Sequence, residues 1–485
     1  MTRGGSLLVV DVGTSGLRAA IVRPDATVEH AHYQALLPSS PAPGFVEFDP
    51  MAMAKAALEC AQAALADGGP VDAVGITNQR ASTIVWDRAT GEPVGPGVGW
   101  QDLRTAGMCL MLREQGLRVA PNASATKLAF LLEMADPDRS RDLCFGTVDT
   151  WIVWTLSAGA LHVTDLSNAA VTGLMHGDGT RGWNEATLEL LRVPPATLPE
   201  VVDSSGTVGD ATALEGAPPI AGIAGDQQAS LIGQGCVHPG LAKITFGTGG
   251  MLDMVIGRDR PAFETTGDAG TFPIVAWRRG GTITWGIEAI MLSAGTNVEW
   301  LRDDLGLIET AAASEHVAAQ SDSTDGVVYV PALLGLGTPY WDYGARGTLL
   351  GITRGTERSH IVRAVLEGVA QRGADLVEAA EADGQAQLAS VRIDGGMAAN
   401  QLFVQALADC IQKPVEVSPQ HEATTLGAGF LAGLATGTWG SEDDIAGTWI
   451  PARIVDPTGA VDRERWREAC RRAQSWIPEL SSLEF

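Results

Sequence analysis

The stretch VVDVGTSGLRAA, residues 9–20, passes from an apolar run directly into an acid and then into two glycines that enclose two hydroxyl residues. Such a turn after a buried strand exposes backbone N–H groups that can hold a phosphate, with Asp11 placed to reach a cation on that phosphate. The same residues also suit a tight hairpin between core strands, because glycine accepts positive φ angles. The stretch therefore predicts two strands and a turn, and it leaves the ligand of that turn open.

Composition predicts a globular protein with more than one domain. The chain has 485 residues, of which 45% are hydrophobic, and this length exceeds one ordinary core. The apolar start SLLVV ends at Asp11, so neither a membrane span nor a secretory signal is expected, and we predict a cytoplasmic protein. The six cysteines are scattered without a C-x-x-C pair, which is typical of reduced, buried thiols.

The charge balance argues against polyanionic partners. The chain carries 58 acidic and 33 basic residues, a net charge of −25, and no Lys/Arg-rich run reverses this locally. We expect such a surface to repel nucleic acids and anionic membranes. A phosphate ligand can still be held by backbone N–H groups and a magnesium ion. The eight histidines show no metal-ligand spacing, and His421 is interpreted as a surface or packing residue.

Hydrophobic periodicity predicts an α/β unit at the start of the chain. Strands are expected in SLLVVDV, LRAAIVR and TVEHAHYQA, followed by a helix from about Asp49 to Ala66 and by the strand VDAVGIT. Three strands in a meander, then a helix and another strand, indicate a mixed sheet.

The second half of the chain begins in the same way. LAKITFGTGGMLDMVI predicts a strand, a turn and a strand, and the Gly13-Thr14 pair recurs here as Gly247-Thr248. A long helix in HIVRAVLEGVAQRGADLVEAAEA and the strand SVRIDG follow later. We place the boundary near Gly240, which gives domains of residues 1–240 and 241–485.

A third glycine site follows the strand SVRI. There the segment DGGMAANQLFVQALADC runs from Gly395 and Gly396 into an amphipathic helix, an arrangement that lets backbone approach a nucleotide at a helix N-terminus. Each turn alone is also compatible with an ordinary strand end. Two opposed turns and one that leads a helix together predict a nucleotide enclosed between two lobes.

Motifs spread over nearly the whole chain carry a family resemblance: DVGTSGLR, GITNQRAST, WQDLRT, SATKLAFLLE, FGTVDTWIVWTLS, VTDLSNA, IAGDQQASLIGQ, TFGTGG, GLGTPYWDYGARGTLLGITRGTERSHIVRAVLEG and DGGMAANQLFVQALAD. By these motifs the sequence resembles the FGGY carbohydrate kinases of the actin-like ATPase superfamily, and among them most closely the glycerol kinases. The segment from Gly347 to Glu367 satisfies the family's C-terminal signature in spacing. The N-terminal signature around Lys127 matches only in part, since Asn122 and Phe130 replace the usual residues.

The resemblance implies two ribonuclease-H-like domains of an actin-like ATPase fold, with ATP in the cleft between them and a polyol or sugar deeper in the first domain. It places Asp11 toward a magnesium ion that accompanies the ATP. The ATP contacts that it implies are Gly13, Thr14, Ser15, Arg18, Gly247, Thr248, Gly249, Gly295, Gly395, Gly396 and Asn400.

Phosphoryl transfer to an alcohol needs a base for the hydroxyl proton. Asp226 in GIAGDQQA follows an apolar strand, and Gly225 before it permits close approach. From the residues alone, a turn or a helix cap is the simpler role for such an acid. The family's catalytic aspartate lies in this motif, so the resemblance implies that Asp226 is the general base. The substrate contacts that it implies are Arg80, Ala81, Trp100, Asn122, Asp226, Gln227 and Met251.

Two functional hypotheses of different class follow. The first is an ATP-dependent polyol or sugar kinase, with a ketopentose such as xylulose as the alternative substrate. The second is a non-enzymatic actin-like ATP-binding protein, which would have no use for substrate residues such as Arg80, Trp100 and Gln227. Relatives of this family imply a possible homodimer or homotetramer.

Three positions depart from the pattern of the glycerol kinases. Ala81 stands where Glu follows the Gln-Arg pair, and Asn122 and Met251 stand where aromatic residues are usual. Losing a carboxylate and a tyrosine hydroxyl removes two hydrogen bonds to glycerol, each worth about 0.5–1.5 kcal/mol. These changes predict weak glycerol binding and a preference for a four- or five-carbon polyol or a related ketose.

Overall fold

The computed structural model describes residues 5–419 and 422–482, so His421 lies outside the described residues. The first half of the chain alternates strands and helices. Its strands are β1 (Leu7–Val12), β2 (Gly16–Val22), β3 (Val28–Ala35), β4 (Glu47–Phe48), β5 (Ala73–Asn78), β6 (Ile84–Asp87), β7 (Gly97–Val98), β8 (Leu143–Gly146), β9 (Val163–Asp165), β10 (Glu200–Val202), β11 (Ser205–Asp210) and β12 (Pro219–Gly225). Its helices are α1 (Pro50–Gly68), α2 (Ala106–Glu114), α3 (Ser124–Ala135), α4 (Val148–Leu156), α5 (Leu166–Ala170), α6 (Glu185–Leu190) and α7 (Asp226–Gly233).

The second half is built in the same manner. Its strands are β13 (Ala242–Phe246), β14 (Gly250–Gly257), β15 (Phe272–Arg279), β16 (Thr282–Met291), β17 (Val328–Val330), β18 (Thr348–Leu350), β19 (Val391–Asp394), β20 (Val415–Val417) and β21 (Arg453–Val455). Its helices are α8 (Thr296–Glu299), α9 (Ala313–Ala318), α10 (Arg358–Gly384), α11 (Gln401–Ile411), α12 (Ala423–Thr436), α13 (Glu442–Ala446), α14 (Arg463–Ala473) and α15 (Pro478–Ser481).

Within the described part of the chain, one 13-stranded mixed sheet runs through both halves. Its first-half part has the order β3-β2-β1-β5-β12-β11, and its second-half part has the order β15-β16-β14-β13-β19-β20-β21. The two parts meet at β11 and β15 through one residue pair, Ser205 with Arg279. Each part has its own apolar core, so the sheet joins two packed units.

Both parts of the sheet follow one plan. In the first, β1, β2 and β3 pair antiparallel, while β5 and β12 extend the other side of β1 as parallel strands. In the second, β13, β14 and β16 pair antiparallel, while β19 and β20 extend β13 as parallel strands. This confirms the predicted α/β fold with two similar units. The predicted boundary near Gly240 lies between α7 and β13 and stays a prediction.

Side-chain caps fix where the helices around the cleft begin. Asp49 accepts hydrogen bonds from the backbone N–H groups of Met51 and Ala52, so α1 begins one residue after the predicted start. The Gly-Gly turn does not lead directly into a helix as expected. A short 3₁₀ turn spans Gly396–Ala399, and Asn400 then caps α11 by accepting from the Phe403 N–H.

Helices α7 and α12 pack against each other at backbone distance. A Cβ atom added at Gly233 would meet the carbonyl oxygen of Ala423, and one added at Gly427 would meet the carbonyl oxygen of Ala229. Helix α12 also lies on the first-half strands, where a Cβ at Gly75 would come within 2.5 Å of the Ala428 carbonyl oxygen. Only glycine allows these approaches. A helix from the second half is thereby fixed against the sheet of the first.

Helix α14, near the C-terminus, packs on the second half. Trp466 on α14 is buried, and its Nε1 donates to both carboxylate oxygens of Asp375 on α10 at 3.1 Å. Arg463 pairs with the same carboxylate at 2.6 Å. All six cysteines are buried and free, as the scattered spacing predicts.

Candidate active site

The turn between β1 and β2 is a tight hairpin tied to the second half of the chain. Gly13 N–H donates to the Gly16 carbonyl at 2.9 Å and closes the turn. On β1, the Asp11 carboxylate accepts from the Thr425 hydroxyl at 2.9 Å, and Arg18 on β2 forms an ion pair with Glu422. The hairpin therefore faces the N-terminus of α12.

Burial raises the pKa of Asp11 to about 6, although the Thr425 hydroxyl and Arg18 act in the opposite direction. The negative charge of Asp226 adds a smaller increase. Closely spaced carboxylates are stabilised by a bound cation.

The second glycine turn and two other predicted nucleotide residues come together. Gly247–Gly249 connects β13 to β14, and the Gly295 N–H donates to the Gly247 carbonyl at 2.8 Å. A Cβ at Gly295 would lie 2.6 Å from that same carbonyl oxygen. Gly395, at φ 89°, lies against the backbone of Phe246 just before the turn. Backbone packing thus gathers three of the predicted glycine positions.

Asp226 lies at the start of α7, directly after β12, with about a third of its side chain exposed. Its carboxylate accepts from the Gln227 N–H at 2.8 Å. The Arg80 Nε is 3.6 Å from Asp226 Oδ1, and the Arg80 guanidinium donates to Glu288 at 2.7 Å. A Cβ at Gly225 would come within 2.7 Å of the Arg80 side chain, so glycine is needed at that position.

The arginine lies between two carboxylates whose pKa values are raised. Burial raises the pKa of Asp226, and Arg80, the Gln227 N–H and Lys243 partly oppose this shift. Burial likewise raises the pKa of Glu288, and the neighbouring Asp253 adds to the effect. An aspartate with a raised pKa is a stronger proton acceptor than an exposed one.

The structure shows site contacts for some of the predicted substrate residues and not for others. Trp100 Nε1 donates to the Thr14 hydroxyl at 3.2 Å and links the first turn to the loop after β7. Ala81, at φ 60°, is buried beside Arg80. Asn122 is exposed and Met251 is half-buried on β14, so the resemblance alone assigns these two residues to the site.

Lys127 forms hydrogen bonds with the backbone on both sides of Asn122. Its buried ammonium donates to the carbonyl groups of Pro121 at 2.6 Å and Ala123 at 3.0 Å, and burial lowers its pKa to about 8. The Ser124 hydroxyl donates to the Ala81 carbonyl at 3.0 Å. These bonds connect the start of α3 to the segment that carries Arg80.

A cavity of about 90 Å³ adjoins the first turn. Gly13, Thr14 and Trp100 line it, together with the polar residues Asp49, Gln79 and Gln101. The apolar lining residues are Leu36, Leu37, Pro38, Val46, Phe48, Ala52 and Met53. The cavity therefore lies beside the bond between Trp100 and Thr14.

Sequence reasoning missed three charged residues at the site: Lys243, Asp253 and Glu288. The Lys243 ammonium lies 2.8 Å from Asp253, both side chains are fully buried, and Lys243 also donates to Gln227 at 2.7 Å. Each residue interrupts an otherwise apolar strand, in AKITF, MLDMV and GIEAI. A charge in a buried strand is the signal that could have identified them.

The described residues contain neither a preformed cluster of metal ligands nor a membrane-spanning helix. In residues 5–419 and 422–482, no cluster of three or more His, Cys, Asp or Glu side chains is arranged to hold a metal ion. No helix in these ranges combines the length and the apolar character needed to cross a membrane.

Comparison with known proteins assigns both halves to one family. Residues 6–233 match the N-terminal domain of the FGGY family of carbohydrate kinases, and residues 242–436 match its C-terminal domain. A glycerol kinase of Aromatoleum aromaticum is 45% identical over 97% of this chain and 99% of its own. Glycerol kinase 2 of Thermotoga maritima is 40% identical over the same shares.

Solved structures agree on the fold. A Plasmodium falciparum glycerol kinase crystallised with ADP has a TM-score of 0.88 at 27% identity and covers 99% of both chains. A xyloylose kinase from Brucella ovis has a TM-score of 0.84 at 24% identity and covers 99% of this chain and 100% of its own. The two-domain architecture predicted from the sequence is confirmed.

Arg80→Met tests the charge balance of the site. The substitution leaves Glu288 and Asp226 without their cation, and breaking a buried pair in this way costs about 3–5 kcal/mol. Without Arg80 the raised pKa of Glu288 rises further, so the folded variant binds protons more tightly than the unfolded chain. The loss of stability should be smallest in acid and grow as the pH rises through that pKa.

The measurement is the unfolding temperature of wild type and variant at about pH 5 and about pH 8. Adding Glu288→Gln to the variant should recover part of the loss at the higher pH. An equal decrease in unfolding temperature at both pH values would contradict the raised pKa assigned to Glu288.

Proposed function

Because this chain belongs to the FGGY family of carbohydrate kinases, we propose that it phosphorylates a hydroxyl group of a small polyol, with Asp226 as general base. The chain is a phosphotransferase, and its family implies that it uses ATP. One observation supports the choice of base: the partly exposed Asp226 carboxylate has a raised pKa and lies beside Arg80 at the start of α7. From there it can accept the hydroxyl proton as the oxygen attacks the γ-phosphate.

The proposed nucleotide site uses both glycine turns. Gly13, Thr14 and Ser15 would hold phosphate oxygens through backbone and hydroxyl groups, with Arg18 nearby, and Gly247, Thr248 and Gly249 would do so from the opposite side. Gly295, Gly395, Gly396 and Asn400 would form the adenosine pocket. The contacts that join Gly247, Gly295 and the Phe246–Gly395 backbone support this grouping.

Asp11 is the residue proposed to face magnesium. Its carboxylate is an oxygen ligand of the kind that Mg²⁺ prefers, and its pKa of about 6 leaves it mostly ionised at neutral pH. Magnesium usually takes one or two carboxylates and completes its shell with phosphate oxygens and water. When bound, the ion neutralises charge on the phosphate groups.

For the polyol we propose contacts with Arg80, Trp100 and Gln227, beside Asp226, Ala81, Asn122 and Met251. The arginine and the glutamine offer donors to hydroxyl oxygens, and the indole offers an apolar face. Relatives named glycerol kinases are 40–45% identical to this chain, whereas the xyloylose kinase is 24% identical, so a polyol is favoured over xylulose. Membership of a kinase family also disfavours the non-enzymatic alternative.

Ala81 supports a finer proposal about substrate length. Position 81 lacks a carboxylate. The acid that lies nearest to the Arg80 guanidinium is Glu288 on β16, in the second half of the chain. We propose a four- or five-carbon polyol, or a related ketose, as a better substrate than glycerol.

Two further proposals concern the whole molecule. A cytoplasmic location fits the acidic composition, and a homodimer or homotetramer fits the family. Sedimentation of the purified protein would measure the oligomeric state.

The proposed activity predicts that ADP forms from Mg–ATP only when a small polyhydroxy compound is present. Chelating the magnesium should abolish turnover, because backbone donors alone do not neutralise the β- and γ-phosphates. A coupled assay over polyols and ketoses of three to six carbons measures this. ADP formation that stays at the unstimulated level with every compound would refute the proposal.

Asp226→Asn keeps the size of the side chain and removes the proton acceptor. We expect kcat to fall roughly 10²- to 10⁴-fold while the affinity for ATP changes little. Asp11→Asn is the matched control, since it should instead raise the magnesium concentration needed for half-maximal rate. Near-normal turnover of the Asp226 variant would remove it from the role of base.

Competition between substrates tests the finer proposal. The kcat/KM for at least one four- or five-carbon compound should exceed that for glycerol. Ala81→Glu should raise relative activity on glycerol and penalise the longer substrate by crowding it. A kcat/KM for glycerol at or above every longer candidate would leave glycerol as the preferred substrate.

A further inference from the structure

A row of charged side chains crosses the second-half sheet behind the proposed substrate site. Lys243 on β13 lies opposite Asp253 on β14, and Asp253 lies opposite Glu288 on β16. Directly opposed residues in paired strands present their side chains on the same face. The Lys243 and Asp253 side chains are fully buried and 2.8 Å apart.

Both ends of this row reach residues of the proposed active site. Lys243 Nζ donates to Gln227 Oε1 at 2.7 Å and to the Thr245 hydroxyl at 3.0 Å. At the other end, Glu288 accepts from Arg80 at 2.7 Å, and Arg80 lies 3.6 Å from Asp226. The row therefore contacts Gln227, which follows the proposed base in sequence, and Arg80, which lies beside it in space.

The fold itself does not require these charges. Lys243 stands four residues before Gly247, and the equivalent position in the first hairpin, four residues before Gly13, is Val9. Val9 lies opposite Ala20, and both are fully buried. The same strand pairing is thus made with an apolar pair in one half and with an ion pair in the other. Burying an ion pair costs more than burying an apolar pair of similar volume, which indicates a role besides packing.

The bond from Lys243 fixes which way the Gln227 amide faces. An ammonium group only donates, so it selects the amide oxygen of Gln227 and leaves the NH₂ group on the other branch of the amide. Without Lys243, the oxygen and nitrogen of this half-buried side chain could exchange places. With it, Gln227 can act toward a ligand as a donor.

We propose that Lys243, held by Asp253, is a positioning residue that orients Gln227 to donate a hydrogen bond to a hydroxyl oxygen of the substrate beside Asp226. This inference rests on the proposed polyol kinase activity. If Lys243 orients the amide in this way, Gln227 contacts the substrate through its NH₂ group, and the substrate atom that it contacts must be a hydrogen-bond acceptor.

The first test replaces the ion pair with an apolar pair of similar volume, Lys243→Met with Asp253→Leu. Such replacements of buried pairs often preserve stability. We expect the unfolding temperature to stay near that of wild type, while kcat/KM for the best polyol falls about tenfold or more and the KM for ATP is unchanged. A purely structural pair predicts unchanged kcat/KM, which would overturn the proposal.

An equally buried pair outside the site provides the control. Arg372 and Asp375 on α10 are as enclosed as Lys243 and Asp253. Arg372→Met with Asp375→Leu should lower the unfolding temperature, because Arg463 and Trp466 also lose their partner, and should leave kcat/KM for the polyol unchanged. A similar loss of kcat/KM in both double variants would assign the effect to stability and would overturn the proposal.

Variants of the half-buried Gln227 keep the test decisive if the double variant does not fold. Gln227→Glu retains the acceptor for Lys243 but loses the NH₂ donor, so it should lower kcat/KM about as much as Gln227→Ala. A Gln227→Glu variant as active as wild type would show that the substrate needs no NH₂ donor at this position, and it would overturn the proposal. In a double-mutant cycle, Lys243→Met should have little further effect once Gln227 is Ala, and additive losses would contradict action through Gln227.

Turnover by the wild-type protein distinguishes a failure of the proposed kinase activity from a failure of the positioning role of Lys243. Absence of polyol-dependent ADP formation in the wild type overturns the proposed function and this inference with it. An active wild type whose Gln227 and Lys243 variants keep full kcat/KM overturns the positioning role alone.

Discussion

The packing of α7 against α12 is the contact on which the rest of the cleft depends. Gly233 and Gly427 let the two helices meet backbone to backbone, each against a carbonyl oxygen of the other segment. Helix α7 begins with Asp226, and the N-terminal end of α12 carries Thr425, the partner of Asp11. One helix contact thus brings the proposed base and the first glycine turn into the same space. A side chain at either glycine would separate groups whose chemistry requires them to be adjacent.

Charge is distributed unevenly within this space. Arg80 lies between Asp226 and Glu288, and Lys243 pairs with Asp253, so three carboxylates share two cations in a largely buried region. Burial is the main reason why the pKa values of Asp226 and Glu288 are raised, and the negative charge of Asp253 adds to it while Arg80 opposes it. The same imbalance favours the arrival of a cation or of a hydrogen-bond donor.

The sequence was sufficient for features that depend on neighbouring residues. The Gly-Thr turns, the start of a helix near Asp49 and the repeated strand order follow from local periodicity and turn chemistry, and the structure confirms the fold that they predict. Glu288 and Lys243 could not be placed in this way, because their partners Arg80 and Gln227 are 208 and 16 positions away and depend on the pairing of the sheet. The 3₁₀ turn before α11 was missed for a local reason, because Asn400 and not the Gly-Gly turn caps the helix by accepting from the Phe403 N–H.

The repeated plan also shows how one fold takes on two roles. In the first hairpin Asp11 stands two residues before the turn, whereas Thr245 occupies that position in the second. An acid at this position in only one half fits the proposal of one magnesium site at Asp11, while the threonine in the other half accepts a bond from Lys243. Conversely, the apolar pair Val9 and Ala20 in the first half corresponds to the ion pair in the second. Charged residues thus differ between two hairpins whose backbones are alike, and this difference, rather than the shared sheet, separates the carboxylate proposed to face magnesium from the lysine proposed to orient Gln227.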